Sequence, residues 1–398
     1  MTNQQIAHLA ARHIMPTYSP PPIALVRGEG ARVWDADGRE YLDFVAGIAV
    51  CAVGHAHPRL VRAICEQAGR IMHTSNLYLI EPQARLAARL AELSFADRCF
   101  LCNSGAEANE AAIKLARKWA SQNLAPEQRT IITAHKSFHG RTLVTVTATG
   151  QEKYQTPFKP LPPGFRYVPF GDLAALAEAV DESVCAVMLE PIQGEGGINV
   201  PLDSYLPGVR ELCDERGILL ILDEVQTGLG RTGKWFAYQH FGIVPDIMTL
   251  AKSLGGGFPI GACLAAGKLG TTFEPGDHAS TFGGNHLACA AALETLAIIE
   301  EEGLVDNARA MGDLLVRRFT ELAGTSAPID HIRGKGLLLG VALSAEIARH
   351  VSAACLERGL LVNALGTDLL RLAPPLTISA MECERAAEII AAALEDVA

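Results

Sequence analysis

With 398 residues, 49% of them apolar, the chain is long enough to bury a large core, yet no stretch approaches the roughly 18 uncharged apolar residues of a membrane helix. A net charge of −10 with no basic cluster argues against nucleic acid as a partner. The ten scattered cysteines, and an N-terminus (MTNQQIAHLAARHIMPTYSP) without the basic-then-apolar order of a signal peptide, point to reduced thiols in the cytoplasm.

Residues 1 to about 30 hold a short amphipathic start and a proline-rich turn, Pro20-Pro21-Pro22. Val33 to Phe44 reads as a hairpin, with Asp37-Gly38 as the turn dipeptide between alternating apolar and polar residues. A glycine/histidine loop follows, GIAVCAVGHAHP. Its His55 and His57 lack the Cys or carboxylate cluster that completes a metal site, so no metal is expected. A helix rich in Ala, Arg and Leu spans about Glu81 to Leu93. From Arg98 the pattern becomes strand, glycine turn, helix (CFLCNSGAEANEAAIKLARKWA). Cys99 and Cys102 form a CxxC there, but inside a strand-like run with no second pair nearby, which argues against metal or redox use.

Strands are expected near Thr130–Ala134, Leu143–Ala148 and Ala186–Glu190, the last after a helix with Asp172 near its start. The apolar run Ile218 to Leu222 has the length and composition of a strand buried on both faces. It delivers Asp223 and Glu224 at its C-terminal end, where open α/β sheets place their ligands. A second apolar stretch, Ile247 to Ala251, delivers Lys252 just ahead of the turn Gly255-Gly256-Gly257. Alternating units of this kind imply an α/β fold with a mainly parallel sheet and helices on both faces. After about His286 come a long helix from Leu287 to about Glu302, a helical segment, strands near Gly336–Leu343 and Leu360–Asn363, and a closing helix from about Met381 to Glu395. This reads as a smaller α+β domain (287–398) that also takes up the N-terminal segment (1–50), around a large domain over 51–286. No internal repeat is visible.

An acid and a lysine at two strand ends form the pair that pyridoxal phosphate needs: an amine to hold its aldehyde and a carboxylate to keep its ring nitrogen protonated. The strand pattern alone leaves helix caps and solvated lysines as the commoner reading. The stretch LDEVQTGLGRTGKWFAYQHFGIVPDIMTLAKSLGGGFPIGA, however, resembles the signature of class III, fold-type I aminotransferases, and within them the acetylornithine/ornithine branch. Matching motifs extend the likeness over most of the chain.

The resemblance implies roles for particular residues. Lys252 is the Schiff-base lysine and general base, Asp223 the partner of the pyridine nitrogen, and Gln226 a neighbour of the ring's phenolic oxygen. Asn103 to Asn109, with Gly105 and Ala106 at a helix start, resembles the phosphate cradle, since free N–H groups there suit a dianion. Many relatives have Thr where this chain has Ala106, which removes one hydroxyl and leaves the backbone donors. Phe138 matches an aromatic stacked on the pyridine. Arg141 matches the arginine that grips the substrate α-carboxylate through its planar fork. Glu195, in EPIQGEGG, matches a glutamate that pairs with a second arginine, Arg371 in LLRLAPPL, and releases it when 2-oxoglutarate enters. Ser280 and Thr281, in HASTFGGNH, match a segment that crosses a homodimer interface, with Thr281 on the partner's phosphate. His286 stands just beyond, where many relatives have Pro.

The implied reaction is pyridoxal-phosphate-dependent transamination of N2-acetyl-L-ornithine with 2-oxoglutarate in arginine biosynthesis. Succinylornithine, succinyl-diaminopimelate and ornithine are alternative donors, and Leu79 falls where ornithine-specific relatives carry a tyrosine. Retention of Asp223, Lys252, Arg141 and Arg371 together argues against a lysine-linked binding protein that no longer transaminates.

Overall fold

The computed structural model describes residues 1–325 and 327–397. In chain order its strands are β1 (Leu25–Glu29), β2 (Arg32–Asp35), β3 (Glu40–Asp43), β4 (Arg98–Cys102), β5 (Thr130–Ala134), β6 (Phe165–Val168), β7 (Val184–Leu189), β8 (Leu219–Asp223), β9 (Ile247–Leu250) and β10 (Gly261–Ala265). After them come β11 (Ile329–Lys335), β12 (Leu338–Leu343), β13 (Leu360–Leu361), β14 (Asn363–Leu365) and β15 (Leu369–Leu372). β4 to β10 form a seven-stranded sheet in the order β4-β10-β9-β8-β7-β5-β6. Only β10 is antiparallel to its neighbours; the pairings from β9 to β6 are parallel. The α/β expectation holds. β10 has no clear signal in the sequence, because GACLA is built mostly of small residues that alternate in neither period.

The central strands form where they do because every residue of β7, β8 and β9 is buried. Such runs are stable only when both sheet faces are covered. Successive side chains alternate between the two core layers. Leu219 and Ile221 join the layer of Ile131, Met188 and the helix Gly105–Asn123, through its Ile113 and Leu115. Leu220 and Leu222 join the opposite layer, with Val187, Met248 and residues of the helices Tyr205–Arg216 and His286–Glu301. Each fully buried Leu or Ile contributes roughly 1.5–3 kcal/mol of transfer free energy.

Two four-stranded sheets complete the fold, β1-β2-β3-β13 and β11-β12-β15-β14. The β2–β3 hairpin turns at Asp37-Gly38, where Gly38 takes φ +89°. β13 lies parallel to β3 with Leu360 opposite Leu42, so the start and the end of the chain share a sheet. β14 and β15 pair antiparallel with Asn363 directly opposite Arg371.

Leu143–Ala148 corrects the sequence reading: it is a helix, not a strand. Its β-branched composition, LVTVTA, favours a strand by propensity. Tertiary burial of Thr145 to Ala148 overrides that preference, and the threonine hydroxyls are satisfied on the helix's own backbone. Thr142 and Thr145 form a reciprocal cap, and the hydroxyl of Thr147 donates to the carbonyl of Leu143 at 2.7 Å. The hydroxyl of Thr149 donates likewise to Thr145 at 2.9 Å.

The helix Leu304–Ala323 packs its Gly312 against the backbone of Gly336, in the turn between β11 and β12. A Cβ at position 312 would overlap the Gly336 carbonyl, and backbone gives way less readily than a side chain. Gly312→Ala is therefore expected to destabilise the fold by about 1–3 kcal/mol, read as a lowered denaturation midpoint. An unchanged or raised midpoint would contradict this close approach.

Candidate active site

The segments leaving β4, β5, β7, β8 and β9 surround a cavity of about 410 Å³. Ser104, Gly105 and Ala106 enter it after β4, Phe138 to Arg141 after β5, and Glu190 and Glu195 after β7. Asp223 stands at the end of β8 with Val225 and Gln226 following, and Lys252 comes after β9. All lie at the C-terminal edge of the parallel strands, where connections splay apart and leave a crevice.

Lys252 has φ +31°, an uncommon backbone for a residue with a side chain. The glycine turn behind it supplies two more positive φ angles, at Gly256 and Gly257. A second left-handed stretch, Ala46 to Ala49, lies alongside: the Ser253 hydroxyl donates to the Ala49 carbonyl at 3.1 Å. That turn brings Val50 to the cavity wall. Burial pulls the Lys252 amine down to about 8; Glu195 opposes that shift and Arg371 adds to it.

Asp223 is 3% exposed, and its two oxygens are committed to different partners. Oδ2 accepts from Asn109 Nδ2 at 2.7 Å and bonds His139 Nδ1 at 2.8 Å. Oδ1 accepts from the Val225 N–H at 3.0 Å. Asn109 in turn donates to the His139 carbonyl and accepts from the Thr249 hydroxyl, tying four chain segments together. Burial alone would lower the pKa of His139, but the bond to Asp223 and its charge outweigh this and raise it. Glu190 accepts from the N–H groups of Phe138 and Gly194, and burial pushes its carboxyl up to about 7.

Two arginines take different stations. Arg371 is 2% exposed and ion-paired through Nη1 to Glu195. Gln226 bridges the pair, donating to Glu195 and accepting from Arg371 Nη1, each at 3.3 Å. Nη2 of Arg371 donates to Asn363 Oδ1 at 2.7 Å. Glu195 and Gln226 line the cavity and screen Arg371 from it. Burial raises the Glu195 pKa, but Arg371 and Lys252 win and hold it below its ordinary value. Arg141 is exposed at the rim, its guanidinium 3.9 Å from the ring centre of Tyr154. Tyr154 meets Phe138 edge to face, at 6.1 Å and 88°.

Ser280 and Thr281 do not enter this cavity. They line a separate groove with Ser75, Asn76, Leu77 and Phe100, although the Ser280 hydroxyl accepts from Asn103 Nδ2 at 3.1 Å. Leu79 is fully exposed and also outside the cavity. Cys99 and Cys102 sit in β4, where burial pushes both thiols up to about 12, far from the thiolate form that metals require. Among the described residues there is no metal-binding cluster of His, Cys, Asp and Glu.

His139, Val50, Val225, Tyr154 and Asn363 are site residues that the sequence reading passes over, and Asn109, named only within the cradle segment, proves to be a partner of Asp223. Asn109 carried a readable signal: it lies one helical turn beyond Gly105 and so shares its face. The others reach the site through loop paths, a short helix and the β14–β15 register, none of which periodicity encodes. The ensemble fits pyridoxal phosphate. A desolvated amine, a fixed carboxylate, an aromatic wall and the first N–H groups of a helix, which have no intrahelical acceptor, face one cavity. A Cβ on Gly105 would press on the Val225 side chain, so glycine is needed at that helix start.

The sequence matches the family described as Aminotransferase class-III over residues 14–394. It is 52% identical over 386 residues to an acetylornithine aminotransferase of Caldanaerobacter subterraneus, covering 97% of this chain and 98% of the relative. An ornithine aminotransferase structure from Toxoplasma gondii superposes with TM-score 0.96 at 36% identity, covering 100% of this chain and 96% of that one. An N-acetylornithine aminotransferase structure from Stenotrophomonas maltophilia gives TM-score 0.85 at 42% identity, covering 98% of each. On the cavity's residues, the family match and the full-length likeness together, the chain belongs to the class-III aminotransferases.

Proposed function

We propose that the protein transfers the δ-amino group of N2-acetyl-L-ornithine to 2-oxoglutarate, giving N-acetyl-L-glutamate 5-semialdehyde and L-glutamate, a step of arginine biosynthesis. The carrying observation is the closed Glu195–Arg371 pair together with an Arg141 on the same cavity that meets aromatic rings rather than a carboxylate. One carboxylate receptor is then open and the other masked, which suits a donor with a single free carboxylate at one end. The curated relative at 52% identity, an acetylornithine aminotransferase, supports the same donor. A panel of acetylornithine, succinylornithine, succinyl-diaminopimelate and ornithine tests it; ornithine as the best donor would overturn the reading.

Class-III aminotransferases use pyridoxal 5′-phosphate, which when bound supplies an electron sink for the substrate carbon that loses its proton. In this reading the Gly105 and Ala106 N–H groups would hold its phosphate, and Phe138 would wall its ring. Asp223 would keep a negative charge at the ring nitrogen, with His139 and Asn109 holding that carboxylate in place. Lys252 would anchor its aldehyde, and the same amine, once free, would act as general base at the substrate carbon that loses its proton. Its lowered pKa leaves a useful share of free amine near neutral pH. Arg141 grips the α-carboxylate through two parallel bonds. For 2-oxoglutarate, Glu195 gives up Arg371 to the second carboxylate, a shift driven by the differential contacts of the two substrates.

The same reading divides the chain into a cofactor-holding body over 51–286 and a smaller body from 1–50 and 287–398, and places the enzyme in the cytoplasm as a homodimer. Leu77, which lines the groove of Thr281, and the neighbouring Phe282 are 87% and 60% exposed, apolar surface suited to a second copy. Since Thr281 stays outside its own cavity, its proposed place is the partner's phosphate.

Three outcomes check these assignments. An amine whose pKa is held near 8 is free base above that pH, so capture of pyridoxal phosphate by the cofactor-stripped protein should rise with pH to a midpoint near 8. A midpoint at the ordinary lysine value of 10.5 contradicts a desolvated Lys252. Glu195→Ala leaves Arg371 permanently available and should move the pre-steady-state preference from acetylornithine toward glutamate by about 10- to 100-fold, the share of a charged hydrogen bond. An unchanged ratio eliminates the mask. Finally, Lys252→Ala should lower turnover by several decades, and mixing it with a Thr281→Asp chain should restore part of it, because one site per mixed dimer keeps both groups. Heterodimers that form without any rescue would place Thr281 at its own chain's site.

A further inference from the structure

Arg371 is held by three acceptors of unequal kind. Glu195 is charged, whereas Gln226 Oε1 on Nη1, at 3.3 Å, and Asn363 Oδ1 on Nη2, at 2.7 Å, are neutral amides. They come from different parts of the fold. Gln226 follows β8 of the large sheet, and Asn363 begins β14, directly opposite Arg371 across the β14–β15 ladder. The register is antiparallel, so the two side chains stand side by side on one face.

This division of labour matters when Glu195 departs. A guanidinium that lost its only partner while 2% exposed would be an uncompensated buried charge, at a large cost. Amide oxygens satisfy its donors and fix its plane without cancelling its charge. Of the two, Asn363 makes the shorter bond, and it holds the nitrogen that Glu195 does not occupy. Gln226 also donates to Glu195, so its grip is disturbed whenever the carboxylate moves. Asn363 has no such tie among the described residues.

We propose that Asn363 is a positioning and specificity-determining residue for the acceptor half-reaction: it keeps Arg371 aimed and still charged after Glu195 is displaced, so that the second carboxylate of 2-oxoglutarate or glutamate finds a preformed receptor. The inference rests on the reading that Arg371 receives that carboxylate. Neutrality of the residue at 363 is the essential property. A carboxylate in the same place would hold the same nitrogen with the same geometry, but would mask the arginine permanently.

The test uses the cofactor-loaded enzyme and measures the two half-reactions separately by stopped flow. In Asn363→Asp, half-saturation for glutamate and 2-oxoglutarate should rise at least about tenfold, the effect of losing a charged hydrogen bond's worth of binding, with acetylornithine changed by less than about twofold. Asn363→Ser, which removes the clamp without adding charge, should raise half-saturation for the two dicarboxylates by a smaller factor with little change in their limiting rates. A residue that merely supported the fold would move both substrates alike, and that result overturns the proposal, as does an Asn363→Asp enzyme indistinguishable from the parent. If Asn363→Asp does not fold, the Ser variant decides alone by the same selectivity between substrates. Arg371→Ala separates the two levels of the argument. If it leaves glutamate binding intact, the role of Arg371 itself is wrong. If it weakens glutamate while neither Asn363 variant does, only the role of Asn363 is refuted.

Discussion

A carboxylate shut off from water must find its partners inside the protein, and much of this site follows from how Asp223 does so. It ends a strand with no exposed residue, and three groups from three segments converge on its two oxygens. An ion left alone there would be protonated or would destabilise the fold by several kcal/mol. The helix after β4, the loop after β5 and the turn after β8 must therefore all be in register before the carboxylate is satisfied. Those same segments carry the helix start, the aromatic wall and the cavity floor. Satisfying one buried charge thus brings most of the cofactor site together.

The second charged assembly is built to be opened. Glu195 and Arg371 neutralise each other in a desolvated setting, where the interaction is strong in both directions: stable when closed, costly if one partner leaves unaccompanied. Gln226 and Asn363 lower that cost on the arginine's side. Because Arg371 and Asn363 belong to the sheet formed near the chain's end, while Glu195 and Gln226 follow strands of the large sheet, the pair also joins two sheets at the cavity wall. Lys252 feels both members, Glu195 raising its pKa and Arg371 lowering it. Opening the pair therefore alters the electrostatic setting of the amine as well as the shape of the receptor.

Backbone strain gathers at the same place. Lys252 and the adjacent Ala46, Ile48 and Ala49 all adopt positive φ, although none is glycine. Such residues cost of order 1–3 kcal/mol each and persist where surrounding bonds over-determine them. Here the link is visible in the Ser253 hydroxyl bonded to the Ala49 carbonyl. The strain turns Lys252 inward from the end of β9 and sets Val50 on the cavity wall beside it.

What the amino-acid sequence determined by itself was the α/β architecture, the strand ends that carry Asp223 and Lys252, and, through resemblance, most of the residues that line one cavity, though Ser280 and Thr281 lie in another groove and Arg371 behind its wall. These are local or short-range properties: a continuous apolar run, a glycine turn and a carboxylate at a strand end are each written within a few residues. The run Leu143–Ala148 departs from its β propensity because tertiary burial of Thr145 to Ala148 outweighs it, and that burial cannot be weighed from composition. β10 was missed because five mostly small residues make no periodic pattern. Only the tertiary structure decided that His139 and Asn109 bond Asp223, that Tyr154 lies under Arg141, and that Asn363 faces Arg371. Those contacts join residues between 8 and 114 positions apart. Their partners are selected by sheet register and by the need to satisfy buried charge, and both exist only once the whole chain has packed.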